Sequence, residues 1–192
     1  MIIIDFFYNY CFFMKTLKIK DKVFVKYINH KEIISAIDKL AYQLNRDYKG
    51  VTPVFIGILN GAFMFTADLL KKFNEECELT FMALSSYAGT KSTGEVEVII
   101  GLRKNIKNRS VIILEDIVDS GTTISYLFSE LYKYEPKDVK VVTLLLKPDA
   151  LKTDVRPDYT GIEIPNDFIV GYGLDYEGFG RNHKDIYKIH EY

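Results

Sequence analysis

The sequence is poor in cysteine and histidine, and this excludes two common kinds of site. Its two cysteines, Cys11 and Cys77, lie far apart, so they provide neither a disulfide framework nor the paired spacing of a zinc site. The three histidines, His30, His183 and His190, also lack the spacing of metal ligands. We therefore assign no function to either residue type.

Long apolar runs and an excess of one charge are missing as well. The sequence has no uninterrupted run of roughly 18 apolar residues, so neither a transmembrane helix nor a membrane partner is expected. The net charge of -1 is not that of a nucleic-acid-binding surface. With 48% hydrophobic and 27% charged residues, the 192-residue chain has the composition of a globular protein. We expect one domain over residues 1–192, located in the cytoplasm.

The first 13 residues are apolar but do not form a targeting signal. Asp5 and Asn9 interrupt them, and they lack the basic start and the small-residue cleavage site of a signal peptide. Met14 is followed by Lys15-Thr16-Leu17-Lys18, which is an ordinary N-terminal sequence. We therefore hypothesise that Met14 is the natural first residue and that residues 1–13 are an upstream extension. The alternative is an apolar arm that packs on a neighbouring subunit.

Hydrophobic periodicity predicts alternating helices and strands. Asn29 followed by Glu32 resembles a capping box, and apolar residues recur at helical spacing after it. The polar, glycine-containing stretch over 85–95 predicts a mobile loop. The alternation favours an α/β fold with a mainly parallel sheet. The predicted helices are 30–48, 62–73 and 123–134, and the predicted strands are 51–59, 78–84, 96–102, 111–114 and 139–146, with short strands near Phe168 and Ile186.

The strongest functional pattern is VIILEDIVDSGTT, residues 111–123. An apolar run typical of a buried strand ends at two adjacent acids, Glu115 and Asp116. A third acid, Asp119, follows two apolar residues further on. The small-residue loop that opens the next helix then consists of Ser120, Gly121, Thr122 and Thr123.

This pattern fits a phosphate site beside a sugar or metal site. Ligands of open α/β sheets bind at the carboxyl ends of strands, which is where the acids are predicted. A small-residue loop entering a helix presents backbone N–H groups to an anion, and Gly121 permits a positive φ. Carboxylates next to phosphate oxygens are the ligands that Mg²⁺ prefers. The same residues also fit a strand, a turn and an N-capped helix without any ligand.

The segment resembles the phosphoribosyl-pyrophosphate motif of type I phosphoribosyltransferases, and its form is most similar to the hypoxanthine(-guanine) members. The resemblance extends over residues 15–192 and includes Leu59-Asn60-Gly61, Ser86-Tyr87, Lys147 and the run 167–176. It implies a central, mainly parallel twisted sheet flanked by helices. It also implies a small hood over the base pocket, formed by the N-terminal segment and residues 148–192.

The resemblance implies transfer of the phosphoribosyl group from 5-phosphoribosyl-1-pyrophosphate to a 6-oxopurine, giving IMP or GMP and pyrophosphate. Asp119 corresponds to the general base that accepts the purine N7 proton. Glu115 and Asp116 correspond to the acids at the ribose hydroxyls and one Mg²⁺. Together with Asp119, the residues that correspond to the 5′-phosphate loop are Ser120, Gly121, Thr122 and Thr123.

The remaining motifs supply the other partners of the implied reaction. The residues that match the family's pyrophosphate site are Leu59, Asn60, Gly61 and Arg181, although many members carry lysine where this chain has Asn60. A flexible loop over the reacting centre corresponds to Ser86 and Tyr87. The residues that match the family's purine site are Lys147, Phe168, Ile169 and Asp175. The resemblance implies that Lys147 donates to O6, that Phe168 stacks on the base and that Ile169 contacts the base through its backbone. Asp175 also corresponds to a ligand of a second Mg²⁺.

Two other functions remain open from the sequence. The first is a regulator that senses the sugar donor on the same fold, although such a protein usually needs a nucleic-acid-binding domain or a basic face. The second is a transferase for another base, such as uracil, orotate or adenine. The resemblance also implies a homodimer or homotetramer, without indicating which.

Overall fold

The computed structural model describes residues 16–86 and 96–190. The hypothesised extension, residues 1–13, and the flexible-loop residue Tyr87 lie outside the described residues. The strands are β1 (Thr16–Ile19), β2 (Lys22–Ile28), β3 (Val54–Leu59), β4 (Glu78–Ser86), β5 (Val96–Ile100), β6 (Ser110–Val118), β7 (Asp138–Leu146), β8 (Tyr159–Glu163), β9 (Ile169–Val170) and β10 (Ile186–Ile189). The α-helices are α1 (His30–Asp47), α2 (Phe63–Leu70) and α3 (Thr122–Leu131).

A six-stranded sheet in the order β5-β4-β3-β6-β7-β8 forms the centre of the molecule. All neighbours in it are parallel except β4 and β5, which are antiparallel. This arrangement confirms the predicted α/β fold. Chain order runs outward in opposite directions from the β3–β6 pair, and such a reversal opens a crevice at the carboxyl edge of a parallel sheet.

Helix α1 covers one face of this sheet, as its apolar periodicity predicts. The predicted capping box is present, because Asn29 Oδ1 accepts from the Glu32 backbone and Glu32 Oε2 accepts from the Asn29 backbone. The buried face of the helix joins one hydrophobic cluster with the sheet. Its fully buried members include Ile33, Ile37, Leu40 and Leu44, which pack with Phe55 and Phe65.

A second sheet, in the order β1-β2-β10-β9, combines strands from both ends of the described chain. We call this four-stranded antiparallel sheet the hood. Asp185 holds the hood against α1, because its carboxylate accepts from Lys26 Nζ at 2.5 Å and from the His30 backbone N–H at 2.8 Å. Tyr172 adds a second connection by donating to Asp68 on α2 at 2.6 Å.

Several element boundaries differ from the prediction. Strand β6 continues through the acids to Val118, whereas the apolar run predicted an end at Leu114. The helix predicted over 123–134 ends as α3 at Leu131 and is followed by a 3-10 turn. The hood strands β1 and β2 and the sheet-edge strand β8 were not predicted individually. No helix within residues 16–86 and 96–190 combines the length and the apolar character needed to cross a membrane.

Candidate active site

The site is formed where three adjacent parallel strands end. Strands β3, β6 and β7 are neighbours in the sheet, so their carboxyl ends meet at one edge. Asn60 and Gly61 follow β3, Asp119 follows β6, and Lys147 follows β7. Residues almost 90 positions apart in sequence are thus brought together by the order of the strands.

The two adjacent acids are buried in β6. Glu115 and Asp116 are only 6% and 9% exposed. Burial raises the pKa of the Glu115 carboxyl well above its usual range, and the neighbouring Asp116 raises it further. Burial also raises the pKa of Asp116, to about 6, although hydrogen bonds from the backbone of Asp116 and Ile117 oppose the shift. A cation or sugar hydroxyls at this point would relieve the cost of burying these charges.

Asp116 faces the loop that follows β3. A Cβ built on Gly61 would come within 1.8 Å of Asp116 Oδ2, so only glycine fits against this carboxylate. Arg181 lowers the pKa of Asp116 and Asp175 raises it, which places both charges near the same carboxylate. The described residues contain no cluster of three or more acidic, histidine or cysteine side chains arranged to hold a metal ion by themselves.

Lys147 and Asp119 form an ion pair across the ends of β7 and β6. Lys147 Nζ donates to Asp119 Oδ2 at 2.8 Å. The lysine side chain is only 9% exposed, whereas that of Asp119 is 51% exposed. The Lys147 backbone also donates to Val118 O at 3.0 Å, which fixes the lysine beside the end of β6. The pair therefore presents a carboxylate to the crevice while its cation lies beneath.

The loop after Asp119 begins helix α3 in the way that a phosphate loop requires. Gly121 is the N-cap residue, its φ is +79°, and no side chain caps the helix. Ser120 Oγ donates to Thr122 Oγ1 at 3.0 Å and accepts from the Thr122 backbone at 3.3 Å. The loop thus combines hydroxyls with the backbone N–H groups of the first helical turn.

The loop after β3 contacts a second loop from the hood. The peptide bond between Leu59 and Asn60 is cis. A Cβ on Gly173 would lie 2.0 Å from Gly61 O, so the two backbones touch. Arg181 Nη1 donates to Gly173 O at 2.7 Å, and its Nη2 pairs with Asp175 Oδ1 at 2.6 Å. The residues predicted for pyrophosphate and for the second metal are thereby brought to one place.

Phe168 lies at the hood and is 42% exposed. Its ring stands edge-to-face with Tyr176 at 5.8 Å between centroids, and Lys22 Nζ lies 5.1 Å from its centroid. It borders a cavity of about 540 Å³, which is not lined by Lys147 or the buried acids. Ile169, the next residue, is buried in β9.

The remaining predicted residues are Ser86 and Tyr87 of the predicted flexible loop. Ser86 ends β4, where its backbone pairs with Val96 in β5. Its partner in the predicted flexible loop, Tyr87, lies outside the described residues. Three neighbours of the site were not predicted, namely Gly173, Thr153 and Lys22. Only Gly173 lies within a recognised motif, and its contact with Gly61 depends on how the hood sits on the sheet.

Comparison with protein families gives one match over most of the chain. Residues 26–177 match the family described as the phosphoribosyl transferase domain. A hypoxanthine-guanine phosphoribosyltransferase of Lactococcus lactis is 44% identical over 156 residues, covering 81% of this chain and 85% of that protein. The protein of the same name in Bacillus subtilis is 44% identical over 157 residues, covering 81% and 87%.

Solved structures give the same result. A hypoxanthine phosphoribosyltransferase from Staphylococcus aureus is similar with a TM-score of 0.82 at 39% identity, covering 86% of this chain and 90% of that one. The Trypanosoma cruzi enzyme, solved in complex with the product IMP, has a TM-score of 0.81 at 35% identity, covering 91% and 97%.

Proposed function

Because the chain belongs to the phosphoribosyl transferase family, we infer that it is a purine-salvage enzyme of the hypoxanthine-guanine type. It transfers the 5-phosphoribosyl group from 5-phosphoribosyl-1-pyrophosphate to N9 of hypoxanthine or guanine, giving IMP or GMP and pyrophosphate. The observation that carries this function is the 2.8 Å pair of Lys147 and Asp119 beside the phosphate loop. The names of the relatives favour it over a regulator or a transferase for another base.

The chemistry of the reaction explains why these groups are needed together. Positive charge develops on the ribose and negative charge on the leaving pyrophosphate, so the protein must hold both partners and stabilise the separated charges. Asp119 accepts the proton from purine N7 as N9 attacks the sugar. Its side chain is half exposed at the crevice, so a substrate can reach it without rearrangement of the sheet.

Lys147 selects the base. Its buried ammonium has only donor hydrogens, so it matches the carbonyl oxygen at position 6 of hypoxanthine or guanine. Adenine would present an amino donor to this cation, so the amino group would be left without a partner, which costs affinity strongly in a buried site. Phe168 stacks on the base, and the backbone of Ile169 meets its edge.

The sugar donor is held by the three other groups of the site. The 5′-phosphate binds the loop from Asp119 to Thr123 at the start of α3, where the backbone N–H groups of the first turn have no partner within the helix. Pyrophosphate binds the backbone of Leu59, Asn60 and Gly61, with Arg181 nearby. The ribose hydroxyls lie against Glu115 and Asp116.

The acids also fit the magnesium that the resemblance implies. Mg²⁺ is usually held by one or two carboxylates completed by substrate phosphates and water, so no closed protein cage is needed. The charge of Asp175 raises the pKa of Asp116, and burial makes the Asp116 charge costly without a cation. When bound, the ion supplies positive charge for the pyrophosphate oxygens. A cytoplasmic location and a homodimer or homotetramer complete the proposal.

One assay tests the function. The purified protein is incubated with Mg²⁺, the sugar donor and, separately, hypoxanthine, guanine, xanthine, adenine, uracil or orotate, and nucleotides are detected by mass. We expect IMP and GMP, and no AMP, UMP or orotidylate. Formation of none of the purine nucleotides would contradict the proposed function.

A further inference from the structure

The hydroxyl of Thr153 is a buried polar group that the roles above leave unused. Its Oγ1 atom is shielded from solvent and has no hydrogen-bond partner among the residues that the structure describes. Folded proteins rarely leave a buried hydroxyl unpaired, because the group loses water without gaining a partner. The position therefore needs an explanation other than packing.

Thr153 lies directly under the phosphate loop. The nearest atom to a Cβ built on Gly121 would be Thr153 Oγ1, at 2.4 Å, followed by Leu151 Cδ2 at 3.2 Å. The segment is also tied to the loop, because the Lys152 backbone donates to Ser120 O at 2.9 Å. Residues 151–153 thus form a floor beneath Gly121, and the unpaired hydroxyl is the polar atom of that floor closest to it.

Binding of an anion frees further acceptors in the loop. In the free loop, Ser120 Oγ donates to Thr122 Oγ1 and accepts from the Thr122 backbone. A phosphate draws such hydroxyl and N–H donors toward its oxygens, and the lone pairs that they occupied are then free to accept. The Thr153 hydroxyl beneath the loop can donate to one of these lone pairs.

We propose that Thr153 is a positioning residue of the 5′-phosphate site. Its hydroxyl is unpaired in the free protein and donates into the loop when the loop closes on the phosphate of the sugar donor or the nucleotide. The loop thus gains a hydrogen bond in the loaded state that it lacks in the free state, and this difference favours phosphate binding. The proposal rests on the proposed function, because it requires a 5′-phosphate in this loop.

The test compares Thr153→Val, which keeps the shape but removes the hydroxyl, with Thr153→Ser, which keeps the hydroxyl. Affinities for IMP and for inosine, which lacks the phosphate, are measured by calorimetry, and unfolding midpoints are measured with and without IMP. For Thr153→Val we expect an unchanged or higher midpoint of the free protein, since an unpaired buried polar group is removed. We also expect about tenfold weaker IMP binding with unchanged inosine binding.

Thr153→Ser should bind IMP within about twofold of the original protein, because a lost methyl group affects the loop less than a lost hydrogen bond. Steady-state kinetics should show a higher KM for the sugar donor in Thr153→Val with kcat and the purine KM little changed. Equal IMP affinity in Thr153→Val and the original protein would overturn the proposal. A lower midpoint of free Thr153→Val with unchanged affinity would assign Thr153 to packing alone. Failure of the original protein to bind IMP would instead refute the proposed function.

Discussion

Lys147 Nζ donates a hydrogen bond to Asp119 Oδ2 at 2.8 Å, from a buried cation to a half-exposed carboxylate. The two residues follow neighbouring strands, and they are assigned to two atoms on the same edge of the base, O6 for Lys147 and N7 for Asp119. In the free protein the cation therefore holds the carboxylate in place. When a 6-oxopurine enters, the same ammonium can donate to O6 as well, because it carries three donor hydrogens. In the proposed reaction, the pair couples base selection to proton transfer.

Replacement of Asp119 by Asn should abolish proton acceptance and keep the hydrogen bond from Lys147. We expect kcat to fall about 10²- to 10⁴-fold, the range typical of a lost general base, while the KM for the sugar donor changes little. Asp149→Asn, which changes an exposed acid in the turn after β7, is the control. Steady-state kinetics with hypoxanthine measures both, and near-normal turnover of Asp119→Asn would remove the general-base role.

Replacement of Lys147 by Ala should weaken purine binding more than sugar-donor binding. Loss of a charge-assisted hydrogen bond predicts a rise of about 10- to 100-fold in the purine KM. Lys137→Ala is the matched control, because Lys137 precedes the opposite end of the same strand, β7, and is exposed. An unchanged purine KM in Lys147→Ala would place this residue outside the base pocket.

Replacement of Glu115 by Gln should separate stability from activity. The raised pKa of Glu115 means that folding favours its protonated form, so this group stabilises the fold at low pH and loses that contribution as pH rises through its folded pKa. Glutamine stays neutral, so the unfolding midpoint of the free variant should equal or exceed the original at pH 8. Activity should nevertheless fall about tenfold or more, since hydrogen bonds from the ribose hydroxyls to a charge are lost.

The two glycines Gly173 and Gly178 provide a matched test of the contact between the hood and the pyrophosphate loop, residues 59–61. Both have positive φ, +102° and +86°, but only Gly173 is crowded, with Gly61 O at 2.0 Å from the added Cβ. Gly173→Ala should therefore displace the loop and raise the KM for the sugar donor, whereas Gly178→Ala adds only backbone strain. Equal effects of the two substitutions on that KM would show that the contact does not position the pyrophosphate loop.

The stability of the hood should decrease at low pH because of the Asp185 carboxylate. Burial favours the neutral form, but the hydrogen bonds from Lys26 and the His30 backbone outweigh it and lower the pKa of Asp185. A lowered pKa gives stability that is present above the unfolded-state pKa and is lost as pH falls through the folded pKa. Asp185→Asn should cost about 1.5–3 kcal/mol near neutral pH, the range for hydrogen bonds to a charged group, and less in acid.

The control for Asp185→Asn is Glu177→Gln, because Glu177 forms an exposed ion pair with Lys20. Exposed pairs contribute little, so this variant should unfold at nearly the original midpoint. Thermal unfolding of both variants between pH 4 and pH 8 measures the difference. A pH dependence of Asp185→Asn parallel to that of the original protein would contradict the assignment.

The fold class and the largest secondary-structure elements followed from local patterns. The periodicity of α1 and its capping box at Asn29 and Glu32 depend on neighbours within one turn, so the chain states them directly. The end of β6 did not follow, because acids normally mark the end of a buried strand. Here the pairing with β3 ends at Leu114, but β7 continues to pair with Glu115, Ile117 and Val118, which keeps the acids in the strand.

The sequence by itself determined the kind of chemistry, because the acids and the small-residue loop of residues 115–123 lie within one stretch of chain. Only the tertiary structure decided which distant groups complete the site. The strand order places Lys147 beside Asp119, and the docking of the hood places Gly173 on Gly61. The tertiary structure also places the unpaired hydroxyl of Thr153 beneath the phosphate loop. Such contacts arise from the packing of whole elements, and no local pattern of residues encodes them.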